Sequence, residues 1–255
     1  MKSIELLGLK VTPGTVEEFC RELSRLIARK QQSFIIDANV HGFNLAWQSP
    51  WMAAFYRRAD LVYVDGAGVV LGARLLGHAP PPRLTMADLG WPAAAHLARQ
   101  GHSLYLLGSP EGVAAKAAER LQAAAPGLKI LGTHHGFFKK EGPENEAVIA
   151  GINRVRPDVL MVGMGMPLEQ RWIVDNHARI KARVFWTVGA GFQYWAGAIP
   201  RAPRWMADSG LEWLFRLFLE PRRMAKRYLW GNTVFLFKVL QERQRLARSA
   251  EWRRP

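Results

Sequence analysis

The chain has 255 residues, of which 49% are apolar, and a formal net charge of +14 at pH 7. These values fit one large globular domain, or one domain with an appendage, and exclude a disordered chain. The single cysteine, Cys20, excludes an intramolecular disulfide and a cysteine-based zinc site, so a reducing compartment is expected.

Short apolar runs alternate with helical patterns over the first 200 residues. Thr15 and Glu18 are spaced as a capping box, which predicts the start of the first helix. The runs show almost no polar alternation, as expected for a parallel sheet covered on both faces. The sequence therefore predicts a doubly wound α/β fold with a mostly parallel sheet. Strands are predicted at residues 4–11, 34–37, 61–64, 103–108, 128–136, 157–165 and 182–190.

The sequence predicts neither a signal peptide nor a transmembrane helix. The N-terminal segment lacks a long apolar core with a small-residue cleavage site. The longest uncharged stretch, residues 184–200, is interrupted by glycines and falls short of the ~20 apolar residues that a membrane span needs.

The alternation ends near residues 197–203, and only helical, basic and aromatic patterns follow. This break predicts an α/β domain over residues 1–200 and a helical C-terminal appendage over residues 201–255. The appendage carries 13 Lys and Arg against 5 Asp and Glu, interleaved with aromatic residues. Such a surface suits a nucleic acid or an anionic membrane, because both present phosphates beside apolar or stackable groups. A solvated charged helix with core aromatics is the alternative.

Polar residues and glycines gather where the predicted strands end. In an open parallel sheet, ligands bind beyond the carboxyl ends of the strands. Glycine lets a phosphate or ribose approach the backbone, and helix N-termini behind the turns offer free N–H groups to an anion. The pattern therefore predicts a nucleotide ligand. The candidate residues are Asp37, Asn39, Asp65, Gly66, Gly68, Gly108, Gly163, Gly165 and Gly189.

Other polar residues lie beside these strand ends. Glu169 and Gln170 open the helix that follows Gly165, where they either contact the nucleotide or cap the helix. His134 and His135 follow another strand and are expected to be structural or solvent-facing. Asp65, judged from its neighbours alone, is better explained as a turn residue or a helix N-cap than as a catalytic group.

The common nucleotide motifs are missing. Residues 66–72 and 163–168 match the dinucleotide-binding fingerprint poorly, and no P-loop occurs. No Asp-x-Asp pair is present to hold a nucleotide sugar through a divalent cation. A nucleoside diphosphate would therefore need basic side chains and backbone N–H groups to bind its charge.

Five stretches carry a family resemblance. They are ADLVYVDGAGVVLGARLLG, LYLLGSPEGVAAKAAERL, PDVLMVGMGMPLEQRWI, VGAGFQYWAGAIPRAPRWMADSGLEWLFRL and EPRRMAKRYLWGN. In collinear order from about residue 5 to residue 235, the chain resembles the WecG/TagA/CpsF glycosyltransferases, glycosyltransferase family 26. The motif that begins at Arg201 makes the resemblance specific, because it is not a general α/β pattern.

The resemblance implies a Rossmann-like core and an inverting, metal-independent transfer without a cofactor. A hexose, of the N-acetylmannosamine type or glucose, would move from a UDP-sugar to the 4-hydroxyl of a sugar on a polyprenyl diphosphate. The reaction would serve cell-surface polysaccharide synthesis at the cytoplasmic face of the bacterial inner membrane. The appendage would close over the active site and dock peripherally on the anionic membrane surface.

The resemblance also implies roles for individual residues. Asp65 falls on the proposed general base of the family. Asp37 and Asn39 fall on a polar pair after the second strand, and Arg83 falls on a loop near the donor site. The appendage arginines expected to hold the diphosphate are Arg216, Arg222, Arg223 and Arg227.

The chain departs from the family pattern at two places. It reads DAN where the family often reads TxN, so a second carboxylate, Asp37, lies near the proposed base. It reads PLEQRW where many members read PKQE, which removes a lysine and reverses the polar order. Inverting transfer needs a base and a stabilised leaving group, and partial desolvation or Asp37 can raise the pKa of Asp65.

One alternative comes from another class of protein. The basic, aromatic appendage could contact the phosphates of a nucleic acid on an α/β scaffold. The glycines at the strand ends favour a small phosphorylated ligand instead, so no nucleic-acid partner is expected. The apolar surface of the appendage leaves two options open, contact with lipid and a homo-oligomer.

Overall fold

A computed structural model describes residues 1–251 of the chain. Eight strands are present in this range: β1 Ile4–Leu6, β2 Leu9–Val11, β3 Ser33–Ala38, β4 Leu61–Val64, β5 Ser103–Gly108, β6 Lys129–His134, β7 Val159–Gly163 and β8 Val184–Thr187. The first nine helices are α1 Val16–Ile27, α2 Val40–Gln48, α3 Pro50–Arg58, α4 Ala67–Leu75, α5 Met86–Gln100, α6 Val113–Ala124, α7 Gly142–Val155, α8 Leu168–Asn176 and α9 Gly191–Ala196.

Only helices follow α9 in the described part of the chain. They are α10 Arg204–Asp208, α11 Glu212–Leu219, α12 Pro221–Ala225 and α13 Gly231–Glu251, with one π-helical turn at Lys226–Trp230 before α13. The predicted helical appendage is thus present up to residue 251, and residues 252–255 lie outside the described residues. No helix within residues 1–251 is both long enough and apolar enough to cross a bilayer.

Six strands form one parallel sheet in the order β4-β3-β8-β7-β5-β6. Helices cover both faces, and the strands β3, β4, β5, β7 and β8 are buried along their whole length. The doubly wound α/β prediction is therefore confirmed. One face of the sheet packs on α1, α5, α6 and α9, and the other packs on α2, α3, α4, α7, α8 and α13.

The prediction of a single strand over residues 4–11 was wrong. β1 and β2 form an antiparallel hairpin that is separate from the main sheet. Leu7 and Gly8 turn the chain with φ of 51° and 78°, as a two-residue hairpin turn requires. The N–H of Thr12 then donates to the carbonyl of Val62 at 2.7 Å, which joins the end of the hairpin to β4.

The first helix begins as its sequence predicts. The Thr15 hydroxyl accepts from the N–H of Glu18, and the Glu18 carboxylate accepts from the N–H of Thr15 at 2.8 Å. Helix α1 then buries Phe19, Leu23 and Leu26 against the sheet. Helix α1 is followed by β3, so its packing on the sheet helps to position the strand that carries Asp37.

The last helix packs into the core. Phe235 of α13 is 3% exposed and contacts the rings of Phe43 and Trp47 on α2. Gly72 of α4 lies directly opposite, and a Cβ at this position would come within 2.9 Å of the Phe235 ring. Val239, one turn further along α13, is fully buried. The first half of α13 therefore packs against α2 and α4, the helices that follow β3 and β4.

Candidate active site

A cavity of about 580 Å³ lies at the carboxyl ends of β3, β4 and β8, and residues between 209 and 236, from the loop after α10 to α13, form its opposite wall. We refer to it as the first cavity. The structure brings most of the predicted site residues together here. The predicted residues that line it are Asp37, Asn39, Asp65, Gly66, Gly68, Arg83, Gly165, Glu169, Gly189, Arg216, Arg223 and Arg227.

Asp65 follows β4 directly and faces this cavity. Its backbone N–H donates to the carbonyl of Ala38 at 3.1 Å, which continues the pairing of β4 with β3. Its carboxylate accepts no hydrogen bond from residues 1–251, so both oxygens are available to a ligand. Burial raises the pKa of this carboxyl to about 7, and the negative charges of Asp37 and Glu212 add to the rise. A group with this pKa can accept a proton near neutral pH.

Asp37 is the second-to-last residue of β3, where it pairs with Tyr63 of β4, two residues before Asp65. It is 7% exposed, and its carboxylate accepts a short hydrogen bond from the side-chain amide of Asn39. Burial raises its pKa to about 7, and Glu169 raises it further. Asn39 is held in turn as the N-cap of α2, because its Oδ1 accepts from the N–H of Gly42 at 2.9 Å. The negative charge of Asp37 in turn raises the pKa of Asp65.

Glu169 is fully buried, and its carboxylate accepts hydrogen bonds from the backbone of two loops. Its Oε2 accepts from the N–H groups of Met164, Gly165 and Gly189, at 3.1, 2.9 and 3.2 Å. Burial raises its pKa to about 7, while these N–H groups oppose the rise. The carboxylate thus joins the loop after β7 to the loop after β8. Glu169 therefore supports two loops that border the first cavity.

Arginines form the cationic wall of the first cavity. Arg83 is anchored, because its guanidinium donates to the carbonyl of Ala207 at 2.8 Å. Arg216 lies over the ring of Tyr194, 5.6 Å from its centroid. Arg227 has a buried Nε that finds no hydrogen-bond partner among the described residues. Arg223 pairs with Glu220 at 3.1 Å and is 59% exposed. These guanidinium groups can bind a diphosphate.

A second cavity of about 1130 Å³ lies at the ends of β5 and β7. Helix α6 after β5 covers one face of the sheet, whereas α8 after β7 covers the other. The chain therefore changes direction between these two neighbouring strands, and an open crevice forms where ligands of α/β proteins bind. The second cavity shares Gly165, Gly189, Arg223 and Arg227 with the first, so the two are continuous.

Close approach of two glycines shapes this crevice. A Cβ on Gly108 would lie 2.2 Å from the carbonyl oxygen of Gly163, so only glycine fits there. Ser109 follows with φ of 61°, and its N–H donates to the carbonyl of Gly163 at 2.8 Å. The hydroxyl of Ser109 and the Oε1 of Gln193 are buried, line the second cavity and have no hydrogen-bond partner within residues 1–251.

Several predicted site residues lie outside the first cavity. Gly163 lines the second cavity, whereas Gly108 and Gln170 line neither cavity. Gln170 is buried and donates to Glu169 at 3.1 Å, so it supports the loops from behind. Arg222 is exposed and lines neither cavity. His134 also lines neither cavity, since its ring packs beside His135 and Phe138.

Other residues at the site were missed from the sequence. Glu212 lines the first cavity and forms an ion pair with Arg201 at 3.4 Å. Tyr194 lines the same cavity, and burial raises its pKa to about 12. His41 lies two residues after Asn39 and lines both cavities, and burial lowers its pKa to about 4, so it is neutral at physiological pH. Glu212 and Tyr194 belong to the family-like stretches, which was the one signal that could have identified them.

Metal-ligating clusters were sought across residues 1–251. No group of three or more His, Cys, Asp or Glu side chains in this range is arranged to hold a metal ion. The acidic groups of the first cavity are Asp37, Asp65, Glu169 and Glu212. Glu169 is committed to backbone N–H groups and Glu212 to Arg201.

Both a family model and individual relatives match this chain over almost its whole length. Residues 4–249 match the sequence model described as the glycosyl transferase WecG/TagA/CpsF family. Proteins of Staphylococcus aureus strains MRSA252, NCTC 8325 / PS 47 and COL are each 24% identical to the chain over 249 residues, which cover 96% of this chain and 95% of the relative. Each relative is named N-acetylglucosaminyldiphosphoundecaprenol N-acetyl-beta-D-mannosaminyltransferase.

Proposed function

Because the chain belongs to the glycosyl transferase WecG/TagA/CpsF family, and is thus a hexosyltransferase, we propose that it extends a saccharide carried on a polyprenyl diphosphate. The donor is a UDP-sugar whose hexose is of the N-acetylmannosamine type or glucose, and the acceptor group is a 4-hydroxyl. The product belongs to bacterial cell-surface polysaccharide synthesis. The names of the relatives support the acceptor class, since each includes a diphosphoundecaprenol-linked sugar.

The observation that carries the proposal is the environment of Asp65. Its carboxylate is free of hydrogen bonds within residues 1–251, has a pKa raised to about 7 by burial, and shares a cavity with four arginines. In the reaction, Asp65 takes the proton of the acceptor hydroxyl as the oxygen attacks C1 of the donor hexose. The bond from C1 to the diphosphate oxygen breaks, and its electrons leave with UDP. Attack opposite the leaving group inverts the configuration at C1.

In this proposal, UDP binds in the second cavity and the acceptor binds in the first. The switch of chain direction between β5 and β7 supports the nucleotide position. The unpartnered Ser109 hydroxyl and Gln193 Oε1 are suitable hydrogen-bonding groups for a ribose or a base. Arg223 and Arg227 line both cavities, so they lie where the departing diphosphate meets the acceptor site. Their positive charge stabilises the leaving group without a metal ion.

The appendage brings the protein to the cytoplasmic face of the inner membrane as a peripheral protein. Trp205, Phe218 and Trp230 are 67%, 74% and 68% exposed, and basic residues lie between them in the chain. Aromatic side chains enter the headgroup region while Lys and Arg contact anionic lipid. The acceptor, whose polyprenyl chain is buried in the bilayer, then lies within reach of the first cavity.

A transfer assay tests the proposed function. UDP release would be measured with UDP-N-acetylmannosamine, UDP-N-acetylglucosamine and UDP-glucose, each with N-acetylglucosamine linked through diphosphate to a short prenyl chain. All reactions would contain EDTA. We expect one UDP-sugar to give acceptor-dependent release at a rate that EDTA leaves unchanged. Absence of release with every donor, with and without added Mg²⁺, would contradict the proposed reaction, whereas release only with Mg²⁺ would contradict metal independence alone.

A further inference from the structure

The first cavity is amphipathic, and its apolar part is not explained by the sugar chemistry. Carboxylates and arginines line its inner end, at the sheet. Its outer part, between α4 and α13, is lined by Leu71, Phe235 and Leu236. Leu71 is 51% exposed and Leu236 is 41% exposed, so both present apolar surface to the opening. Exposed apolar side chains that line the same cavity indicate an apolar ligand.

This apolar wall is built into the fold. The missing Cβ of Gly72 lets the Phe235 ring approach α4, and the ring stacks on Trp47 with 6.1 Å between centroids. Phe235 is therefore fixed in place with one edge in the cavity lining. Leu71 precedes Gly72, and Leu236 follows Phe235. The packing of Gly72 on the Phe235 ring therefore holds both exposed leucines in place.

Along the chain, two arginines of the first cavity come shortly before its apolar residues on α13. Arg223 and Arg227 lie just before α13, and Leu236 lies in the second turn of α13. The buried Nε of Arg227 has no hydrogen-bond partner among the described residues, which leaves a donor free for an anion. A ligand that fits this order has an anionic group attached directly to a branched or linear hydrocarbon chain.

We propose that Leu71, Phe235 and Leu236 form a subsite for the first isoprene units of the acceptor, whose diphosphate lies against the cationic wall of the first cavity. The inference rests on the proposed function and adds a source of substrate affinity to it. The subsite holds the acceptor by the part of its lipid nearest the diphosphate, and so sets the distance between Asp65 and the reacting hydroxyl. Each isoprene unit removed from water adds affinity in proportion to its apolar area.

Acceptors that differ only in their lipid test the subsite. The same saccharide diphosphate would be capped with a methyl group or with a two-isoprene chain, and KM would be measured in solution without membranes. For the unaltered protein we expect KM to be about tenfold or more lower with the prenyl chain. Leu71→Ser and Leu236→Ser should each narrow this ratio several-fold. Leu131→Ser, an equally exposed leucine on β6 at the far edge of the sheet, should leave the ratio unchanged.

Direct binding separates this inference from the proposed function. Calorimetry with geranyl diphosphate and methyl diphosphate, in the absence of donor, does not depend on turnover. Tighter binding of the geranyl compound, weakened in Leu71→Ser and Leu236→Ser but not in Leu131→Ser, would support the subsite even if every transfer assay failed. Equal binding of the two compounds, or an equal KM for the two acceptors, would overturn the subsite even if transfer is observed. An equal effect of all three variants would overturn it as well.

Discussion

Asp65 is one of three carboxyls around the first cavity whose pKa values are raised; Asp37 and Glu169 are buried, and Asp65 is half-buried. Burial raises the pKa of Asp37, Asp65 and Glu169 to about 7 in each case. Buried carboxyls cost folding free energy, so their concentration around one cavity indicates function rather than stability. Each can change protonation state near neutral pH, where an enzyme base is most useful.

The pH dependence of turnover should report this arrangement. Asp65 must be ionised to accept a proton, so kcat/KM should rise with pH and level off above about 7. In Glu169→Gln, a negative charge that raises the pKa of Asp37 is removed, while an oxygen remains to accept from the backbone N–H groups. The pKa of Asp37 should then fall, so Asp37 is ionised over more of the pH range. Because the charge of Asp37 raises the pKa of Asp65, the midpoint of the profile should move to higher pH.

The control for this shift is Glu146→Gln, since Glu146 pairs with Arg179 on the surface. Its midpoint should match that of the unaltered protein. A profile for Glu169→Gln that superimposes on the control would contradict the proposed coupling of the three carboxyls.

The ionisation of Asp65 should lower the stability of the protein over the pH range in which it raises activity. The folded-state pKa of Asp65 lies above its ordinary value of 3.8, so its contribution to stability is present below about pH 4 and is lost as pH rises through 7. Asp65→Asn removes the ionisation and should stabilise the protein at pH 8 by on the order of 1 kcal/mol, or about 2–4 °C in Tm. The difference should shrink toward pH 4. If the Tm of Asp65→Asn at pH 8 is no higher than that of the unaltered protein, the raised pKa of Asp65 would be contradicted.

Some residues of the site could be predicted from the sequence, and others could not. Asp37, Asn39 and Asp65 were predictable because they follow apolar strands, and parallel strands end at one edge. Tyr194 and Glu212 were not selected, because their place at the cavity depends on how the chain folds back after β8. Arg222 and Arg223 are neighbours in sequence, yet only Arg223 lines a cavity.

At the scale of elements, the strand pattern predicted the parallel sheet but not the order of its strands. Apolar runs identify buried strands, whereas order depends on crossover connections between elements far apart in the chain. The hairpin at residues 4–11 was missed because Leu7 and Gly8 form its turn with a leucine at a position that usually holds Asn, Asp or Gly. The crevice between β5 and β7 likewise depends on that unpredicted order.

Helix α13 illustrates the same limit. Phe235 and Phe237 look alike in the sequence, but two positions along a helix separate side chains by about 200°. Phe235 is 3% exposed and Phe237 is 59% exposed. The pattern of the appendage therefore predicted a helix without showing which aromatic residues join the core, and the boundary near residue 200 stays a prediction.

Two matched substitutions test the role of α13. Phe235→Ala should lower the free energy of unfolding by about 3 kcal/mol or more, because it leaves a cavity between α2 and α4. Phe237→Ala removes an exposed ring and should change it by no more than about 0.5 kcal/mol. Urea unfolding measures both values. Equal values for the two variants would show that α13 does not contribute to the core in solution.

At the scale of the whole molecule, the net charge of +14 and the exposed aromatic residues of the appendage favour an anionic surface. Sedimentation with phosphatidylglycerol vesicles should pull down the unaltered protein, and added salt should weaken the binding. The double variant Phe218→Ser, Trp230→Ser should bind less, because two exposed aromatic side chains no longer enter the headgroup region.

Leu131→Ser is the control for vesicle binding. Leu131 is 39% exposed and lies on β6, at the opposite edge of the sheet from β4, and it lines neither cavity. Its variant should sediment like the unaltered protein. Identical sedimentation of the double variant and this control would contradict membrane docking through the appendage.

The most direct test of the account is the turnover of Asp65→Asn. With the UDP-sugar and prenyl-linked acceptor that support transfer, at pH 8 and in EDTA, kcat should fall by about 10²- to 10⁴-fold. The fold should stay intact, and Asp208→Asn, an exposed carboxylate outside both cavities, should keep normal turnover. An Asp65→Asn enzyme that transfers sugar at a near-normal rate would contradict the assignment of Asp65 as the base.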